Sequence, residues 1–358
     1  MKKIFLSALS IGTIILILLD APRAILYATD AMTLCFEVIV PTLFPFFVCA
    51  NILIYSGVCE TLSKAFTFCM RPLFNVSPVG SSAFILGIIS GYPLGAMTAG
   101  ELYKNSYITK TEAERLLSFC NNSGPLFILG SIGVAMYGNI RYGVILYAIH
   151  ILSSIIVGIA FRFYKYRDYI APDITLSQPQ KNYGEVFNIA LQNSIQTILT
   201  VCGAVIIFSM ASRLFLDLIP MSPTVDAFVS GLMEFVTGTV KISNLTIPIA
   251  KKLILSSAIV GFAGLSVHVQ VIAVIAKYEL SLIPYFMGKI MHGIVSFALI
   301  YLYFLKFPIT TAVFSPSISK TVAATSLCEL VAAAITVFLC IVFSISFYIG
   351  KKRYKMPL

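Results

Sequence analysis

The sequence contains few charged residues and none of the short motifs that mark hydrolytic enzymes. Asp, Glu, Lys and Arg together make up 11% of its 358 residues, and tryptophan is absent. It has no Walker-type phosphate loop, no GxSxG motif and no HExxH motif. Those motifs supply the phosphate cradle, the nucleophile and the zinc ligands of the corresponding enzymes. Because no set of nucleophile, base and orienting group is visible either, we do not expect an enzyme.

No two of the eight cysteines form a CxxC pair, and most of them lie in apolar stretches. Buried thiols of this kind act as small hydrophobic side chains. The sequence therefore predicts no disulfide framework, no metal site and no cofactor. The cysteines are Cys35, Cys49, Cys59, Cys69, Cys120, Cys202, Cys328 and Cys340.

Apolar residues are the abundant class, at 58% of the chain. A soluble domain of this length cannot bury so much apolar side chain, so we predict an all-α polytopic membrane protein. The formal net charge is +10. In a membrane protein such an excess usually lies in cytoplasmic loops, and no nucleic-acid-binding signature is present. The expected partner is therefore the lipid bilayer and not a nucleic acid.

Eight apolar runs are long enough to cross a bilayer as helices, at about 20 residues each. The short basic start before the first run is similar to a signal peptide, but no A-x-A cleavage site follows, so we expect a retained helix. The predicted spans are 4–26, 34–57, 116–137, 142–162, 189–212, 253–276, 283–305 and 322–349.

Two further apolar stretches, 79–100 and 227–247, are either spanning helices or re-entrant helical hairpins. With the N-terminus in the cytoplasm, hairpins give eight crossings and place the basic loops after residues 100 and 162 inside. Ten crossings would place both loops outside. The positive-inside rule therefore favours hairpins, with both termini cytoplasmic. The alternative for 79–100 is that its glycines, spaced by four, form the close-packing face of an ordinary span.

The two halves of the chain resemble each other weakly, which predicts an inverted repeat. Ser82–Gly87 matches Asp226–Gly231, and Asn122–Leu126 matches Phe262–Ser266. Each unit contains a helix, a hairpin, a broken helix and a helix. Because three crossings is an odd number, two units joined by a cytoplasmic loop have opposite orientations, an architecture of secondary transporters.

These patterns divide the chain into five predicted parts. Residues 1–33 form a peripheral N-terminal helix, and 306–358 form a C-terminal helix with a basic cytoplasmic tail. The first repeat is 34–162, with its hairpin at 79–100 and its broken helix at 116–137. A cytoplasmic loop, 163–188, leads to the second repeat, 189–305, with its hairpin at 227–247 and its broken helix at 253–276.

Helix-breaking residues inside the apolar segments mark the candidate substrate site. In lipid, broken backbone is tolerated only where protein or a water-filled cavity satisfies it, and paired interrupted segments point to a transporter site. The alternative for each polar residue is that it only satisfies this backbone. The candidates are Ser90, Gly91, Tyr92, Gly95, Asn121, Asn122, Ser123, Gly124, Glu234, Thr237, Gly264, Ser266, His268 and Gln270, with Lys289 and His292 as secondary candidates.

Ionisable residues inside a membrane are functional candidates because placing a charge in lipid is unfavourable. Glu234 could carry a coupling proton, hold sodium, or be a protonated acid bonded to backbone. Lys289 and His292 lie three residues apart on one helical face and could neutralise a substrate carboxylate. Alternatively, Lys289 could extend to the membrane interface.

Three motifs carry a resemblance to a known family. They are Gly87–Ala96, Ala113–Leu117 and Phe119–Pro125, with Gly261–Val267 and Gln270 as a second-half counterpart. Over essentially its whole length the chain resembles the YlbJ-type sporulation integral membrane proteins of the nucleoside-recognition (Gate) superfamily. This resemblance implies a fold like that of concentrative nucleoside transporters. It also implies transport of dipicolinic acid from the mother cell across the outer forespore membrane.

Two departures refine that implication. No GTPase domain accompanies the Gate-like region, which disfavours iron transport, and the first hairpin tip has no carboxylate, which disfavours a nucleoside. We therefore expect a secondary transporter of a small planar anion, working by alternating access, with coupling to H⁺ or Na⁺ and possible assembly as a homo-oligomer. A nucleoside or other small molecule, or a non-transporting scaffold for spore assembly, are the alternatives.

Overall fold

A computed structural model describes residues 2–55, 69–168 and 182–308. Within those ranges every regular element is helical, as predicted for an all-α protein. The predicted helix 322–349 and the basic tail lie outside the described residues, as do Cys59, Cys328 and Cys340.

The N-terminal region consists of two helices where the sequence predicts one over 4–26. Helix α1 covers Lys2–Leu19 and α2 covers Ala21–Leu34, and the axis bends by 109° between them. Pro22 fixes the backbone of the first turn of α2, and Asp20 caps that turn by accepting a hydrogen bond from the Arg23 amide at 3.2 Å. The prediction of one helix over 4–26 was wrong, because Asp20 and Pro22 begin a new helix within that range.

Helix α3, Val40–Tyr55, continues from α2 through one wide π turn at Cys35–Ile39. It corresponds to the predicted helix 34–57. Its N-terminal end, together with the π turn, packs against a long helix of the second half and buries Cys35, Ile39 and Phe47 there.

The stretch predicted at 79–100 forms two helices packed against each other, α4 at Ser81–Ser90 and α5 at Leu94–Lys104. A Cβ added to Gly87 or to Gly95 would overlap the carbonyl group of Cys120. The glycines therefore hold both arms of the hairpin against a third segment. The alternative of a single spanning helix with a glycine face was wrong, because the helix ends at Ser90. Entry of the hairpin from one side of the bilayer stays a prediction.

A broken region follows the first hairpin. Helix α6 covers Lys110–Leu117, residues 118–125 are irregular, and a π helix covers Leu126–Met136. Helix α6 begins six residues before the predicted broken helix 116–137, and the irregular stretch lies within that range. Helix α6 starts at Lys110 because Thr109 and Glu112 form a capping box, in which the Glu112 carboxylate accepts from the Thr109 amide at 2.8 Å.

Seven further α-helices follow in the described region. They are α7 (Ile140–Phe161), α8 (Tyr183–Leu216), α9 (Pro223–Met233), α10 (Phe235–Asn244), α11 (Ile249–Phe262), α12 (Gly264–Ile275) and α13 (Ile283–Lys306). Helices α9 and α10 form a second hairpin at the stretch predicted as 227–247. The predicted break in 253–276 lies at Ala263, between α11 and α12.

Four helices of the described region are long and apolar enough to cross a membrane. They are α7, α8, the run Ile249–Ile275 and α13. The bent pair at the N-terminus would add a fifth. These helices support an integral membrane protein, whereas the full count of eight crossings stays a prediction.

The order of elements in the first half recurs in the second. Helix, hairpin, broken segment and helix appear as α3 to α7 and again as α8 to α13. Equivalent packing contacts also occur between the halves. The second arm of each hairpin packs on the helix that follows the break in the other half: α5 on α12, and α10 on the π helix. The helix before each break packs on the last helix of the other half: α6 on α13, and α11 on α7. The division into repeats at 34–162 and 189–305 and their inverted orientation stay predictions.

We expect Gly87→Ala to destabilise the protein by about 1–3 kcal/mol, because the new methyl group would enter the space of the Cys120 carbonyl. Thermal unfolding in detergent measures this effect. Gly130→Ala is the matched control, since its methyl group would meet only the Leu126 side chain at an ordinary 3.5 Å. Equal unfolding temperatures for both variants would contradict the close packing of the hairpin.

Candidate functional site

Each hairpin tip lies against the broken segment of its own half. Gly91, at the first tip, has φ of +80°, and a Cβ there would come within 2.8 Å of the Gly124 amide nitrogen. In the second half Gly264 has φ of +72°, and a Cβ there would come within 3.0 Å of the Phe235 amide nitrogen. Glycine is needed at both positions, because other residues rarely adopt this backbone conformation or permit such an approach.

Aromatic side chains join the two tips across the halves. The ring of Phe235, just after the second tip, lies 6.0 Å from that of Tyr92 and 5.0 Å from that of Phe127, between ring centres. The Tyr92 hydroxyl donates a hydrogen bond of 3.1 Å to the carbonyl of Val260, just before the break in the second half. The two tips and the two broken segments therefore meet at one place.

A mostly apolar cavity lies at this meeting point. It contains about 590 Å³ of empty space, counting the part that opens to its surroundings. No charged side chain lines it. Its walls are formed by Ile39, Leu43, Phe46, Phe47, Ser90, Gly91, Tyr92, Ser123, Gly124, Leu126, Phe127, Val201, Val205, Phe235, Val236, Val267 and Gln270.

Several buried polar atoms beside the first tip have no hydrogen-bond partner among the described residues. They are the Ser90 hydroxyl, both side-chain polar atoms of Asn121 and the side-chain oxygen of Asn122. These three residues are at most 3% exposed. Buried polar groups are nearly always paired, so a cluster of unpaired ones indicates a place where a polar ligand or water binds.

The broken segment 118–125 is held by its neighbours. The Asn122 side-chain amide donates to the Phe119 carbonyl at 2.9 Å. The Ser123 backbone N–H donates to Nε2 of His150, on α7, at 3.1 Å. His150 is 2% exposed and fixes this segment.

Lys289 on α13 is buried behind the first tip. It is 1% exposed, so the alternative that it extends to the interface is wrong. Its Nζ donates to the Asn121 carbonyl at 3.2 Å and lies 5.2 Å from the centre of the Tyr92 ring. His292 lies one turn later, with Nδ1 3.4 Å from the lysine Nζ.

Glu234 is the residue between the two helices of the second hairpin and is fully buried. Its carboxyl oxygens accept hydrogen bonds from the amides of Val236 at 3.1 Å and Thr237 at 2.6 Å, so it caps α10. The Thr237 hydroxyl bonds that of Ser209 at 3.2 Å, and Ser266 lies beside the carboxyl group. This carboxyl group therefore accepts the hydrogen bonds of the free backbone amides at the tip of its own hairpin.

The predicted site residues divide into three groups. Ser90, Gly91, Tyr92, Ser123, Gly124 and Gln270 line the cavity. A second group lies around it: Asn121, Asn122, Lys289 and His292 behind the first tip, and Glu234, Thr237, Gly264 and Ser266 at the second. Gly95 packs the arms of the hairpin, and His268 bonds the buried Tyr285 hydroxyl through Nδ1 at 2.7 Å.

The prediction from the sequence did not include the apolar walls supplied by α3 and α8, nor His150, Phe235 and Tyr285. Phe235 directly follows Glu234, so its position at the tip was a usable signal. The others depend on tertiary contacts between distant helices. Among the residues that the structure describes, no cluster of His, Cys, Asp or Glu could hold a metal ion.

Two buried charged residues, Arg115 and Glu114, anchor helix α6, which leads into the broken segment. Arg115 donates to the carbonyls of Asn75 at 2.6 Å, Tyr164 at 2.9 Å and Lys165 at 2.7 Å. Glu114 accepts from Lys165 Nζ at 3.0 Å, and this hydrogen bond raises the pKa of the exposed lysine. The Glu114 carboxylate also accepts from the Ser281 amide at 3.1 Å, which joins the two halves.

The comparisons with known proteins agree with the resemblance inferred from the motifs. Residues 36–141 match the family model described as Gate: Nucleoside recognition. The chain is similar to YlbJ-type sporulation membrane proteins. It is 29% identical over 321 residues to the "Sporulation integral membrane protein YlbJ" of Bacillus subtilis (strain 168), which covers 80% of this chain and 78% of that protein. No solved structure matches.

The range that matches the Gate family contains the first hairpin, its tip and the first broken segment. It therefore includes the unpaired polar atoms of Ser90, Asn121 and Asn122. The second hairpin lies outside that range but within the part of the fold that repeats the same order of elements.

We expect Arg115→Lys to lower the unfolding temperature, because lysine cannot reach all three carbonyl groups. Hydrogen bonds from charged groups contribute about 1.5–3 kcal/mol each, so the loss of one predicts a destabilisation of that size. Thermal unfolding in detergent checks it, with Arg141→Lys as control, since Arg141 is exposed at the start of α7. Unchanged stability of Arg115→Lys would show that these bonds do not hold α6.

Proposed function

We propose that this protein is a secondary transporter of a small planar anion, with dipicolinate as its substrate. The observation that carries the proposal is the meeting of both hairpin tips and both broken segments at one cavity. Interrupted helices that meet near the middle of a membrane protein form the substrate sites of many transporters. The similarity to a sporulation membrane protein supports a role in spore formation.

The charges around the cavity favour an anion. Lys289 lies behind the cavity wall, and no carboxylate pairs with it among the described residues. The first tip has no acidic residue, and α5 begins there without a side-chain cap. A helix N-terminus of this kind favours negative charge. The one carboxyl group nearby, Glu234, is already bonded to amides of its own hairpin.

The shape of the cavity favours a flat ligand. Its walls include the rings of Tyr92, Phe127 and Phe235, which can stack against an aromatic ligand. Dipicolinate is a pyridine ring with two carboxylates. The unpaired Ser90 hydroxyl lines the cavity together with these rings and would bind a carboxylate oxygen.

Transport by alternating access would follow from the repeated architecture. In this proposal each hairpin enters the membrane from one side, the repeats have opposite orientations, and both termini are cytoplasmic. The fold would then be like that of concentrative nucleoside transporters, with eight crossings. The protein would move dipicolinate from the mother cell toward the forespore across the outer forespore membrane, coupled to H⁺ or Na⁺. Assembly as a homo-oligomer is compatible with this mechanism.

A nucleoside is the second candidate substrate. The match of residues 36–141 to a nucleoside-recognition family favours it. Against it stands the first tip, which offers no carboxylate to a ribose hydroxyl. A scaffold that recruits partners during spore assembly is the third candidate, and it predicts that changes at the cavity have no effect on function.

The transport proposal predicts that proteoliposomes take up labelled dipicolinate and that uridine does not compete. Asn122→Ala should reduce uptake about tenfold, the loss expected for one hydrogen bond of about 1.4 kcal/mol. Gly91→Ala should reduce it further, because the methyl group would push the first tip away from Gly124. The matched control is Gly203→Ala, which meets nothing within 4 Å.

Uptake that uridine abolishes would favour the nucleoside alternative. Absence of uptake by the wild-type protein, under both H⁺ and Na⁺ gradients, would contradict the transport proposal and favour the scaffold. Unchanged uptake in both variants at matched abundance would refute the assignment of the site.

The topology makes a separate prediction. In a background without native cysteines, Arg167→Cys should resist an impermeant thiol reagent in intact cells, because its loop is proposed to be cytoplasmic. Leu218→Cys should react, because it follows α8 on the proposed outer side. Both positions are exposed in the structure. The ten-crossing alternative predicts the opposite result at both positions.

A further inference from the structure

Lys289 is a buried basic residue without an anionic partner in the described part of the chain. Its three nearest polar or aromatic neighbours are the Asn121 carbonyl, Nδ1 of His292 and the face of the Tyr92 ring. An ammonium group held only by such neutral groups within a membrane is unfavourable. The amine form is therefore preferred until a negative charge arrives nearby.

His292 is oriented as an acceptor for the lysine. Its Nε2 lies 3.0 Å from the carbonyl oxygen of His150, which can only accept, so Nε2 carries the hydrogen. Its Nδ1 therefore holds a lone pair that faces Lys289. One proton can move between the lysine Nζ and the histidine Nδ1 along this contact, and the two side chains form a single protonatable pair.

His150 packs against this pair but is occupied by the backbone. Its ring centre lies 4.4 Å from that of His292. Its Nε2 accepts from the Ser123 amide, so in the neutral form its hydrogen is on Nδ1. A change in the charge of the pair would therefore act on the broken segment 118–125 through two contacts, that of His150 with Ser123 and that of Lys289 with Asn121.

None of the other ionisable groups that face Lys289 is a carboxylate. Tyr92 comes from the first tip, Cys120 from the first broken segment and His268 from α12. Helix α11 packs along α13 with Ser257, which bonds the Ser296 carbonyl.

Helix α6 also packs on α13, and its two acidic residues are hydrogen-bonded to other groups. Glu112 accepts from the Ser77 amide at 2.7 Å, and Glu114 accepts from Lys165 at 3.0 Å. No carboxylate of the described elements packed on α13 is therefore left to neutralise Lys289.

We propose that Lys289 and His292 form a proton-binding site whose occupancy is linked to binding of the anion in the cavity. The proposal rests on the proposed function, because it assumes an anionic ligand. Tyr92 contacts the lysine on one side and lines the cavity on the other, so a carboxylate in the cavity would supply the missing negative charge. In this step the neutral lysine amine takes one proton from the medium and becomes an ammonium group.

This linkage is reciprocal, so the anion increases the affinity for the proton as much as the proton increases the affinity for the anion. Binding should be tighter at low pH. One proton would accompany each anion across the membrane. The coupling ion of this transporter would therefore be H⁺ and not Na⁺.

Calorimetry of dipicolinate binding in two buffers of different ionisation heat measures the protons taken up. The wild-type protein should take up about one proton per bound anion near neutral pH. Lys289→Met should take up none and should bind more weakly. His292→Gln should take up less, because glutamine cannot hold the proton. Lys306→Met, an exposed lysine at the end of the same helix, is the matched control and should behave as the wild type.

Proton uptake by Lys289→Met equal to that of the wild type would overturn the proposal even though the anion binds. If the wild type does not bind dipicolinate at all, the proposed substrate fails, and the proton site is judged without ligand.

Histidine-specific ¹⁵N labelling provides that second test, because the chain has only three histidines. Over about pH 5 to 9 the Nδ1 signal of His292 should shift in the wild-type protein, and this shift should change in Lys289→Met. A His292 signal that does not respond to pH, or that responds equally in both proteins, would overturn the proposal.

Discussion

Backbone that leaves the helical conformation inside a membrane protein must find its hydrogen-bond partners within the protein or in a cavity. The structure satisfies this requirement by bringing its interrupted segments together. The first tip rests on the segment 118–125, and the second tip rests on Ala263 and Gly264. Positioning of both pairs depends on backbone contacts that only glycine permits, and on buried side chains such as Arg115 and His150 that hold the surrounding segments.

The two tips satisfy their backbone in different ways. At the second tip a side chain of the protein, Glu234, caps the following helix. At the first tip no side chain does so, and polar atoms of Ser90 and Asn121 have no partner in the described region. The same local geometry therefore gives one self-contained tip and one that is suited to an external ligand. The cation behind the first tip, Lys289, adds to this difference.

Much of this arrangement could be predicted from the sequence, because helix-breaking residues in apolar surroundings are a strong local signal. Ser90–Pro93, Asn121–Pro125 and the break near Gly264 were located in this way. The bend at Asp20 was missed because the apolar run continues through it. The burial of Lys289 could not be predicted, since it depends on a contact with a segment 168 residues away. The role of His150 depends on how α7 packs on the irregular segment 118–125, which the sequence pattern does not specify. The apolar walls from α3 and α8 have no distinguishing local pattern at all.

The capping of α10 by Glu234 has a consequence for stoichiometry. A carboxyl group that occupies the amides of a helix start leaves them unavailable to a second carboxylate. The second tip therefore cannot serve as a mirror copy of the first, although the elements around both follow the same order. A planar dianion would have a single place to bind, so each chain would carry one substrate molecule per cycle.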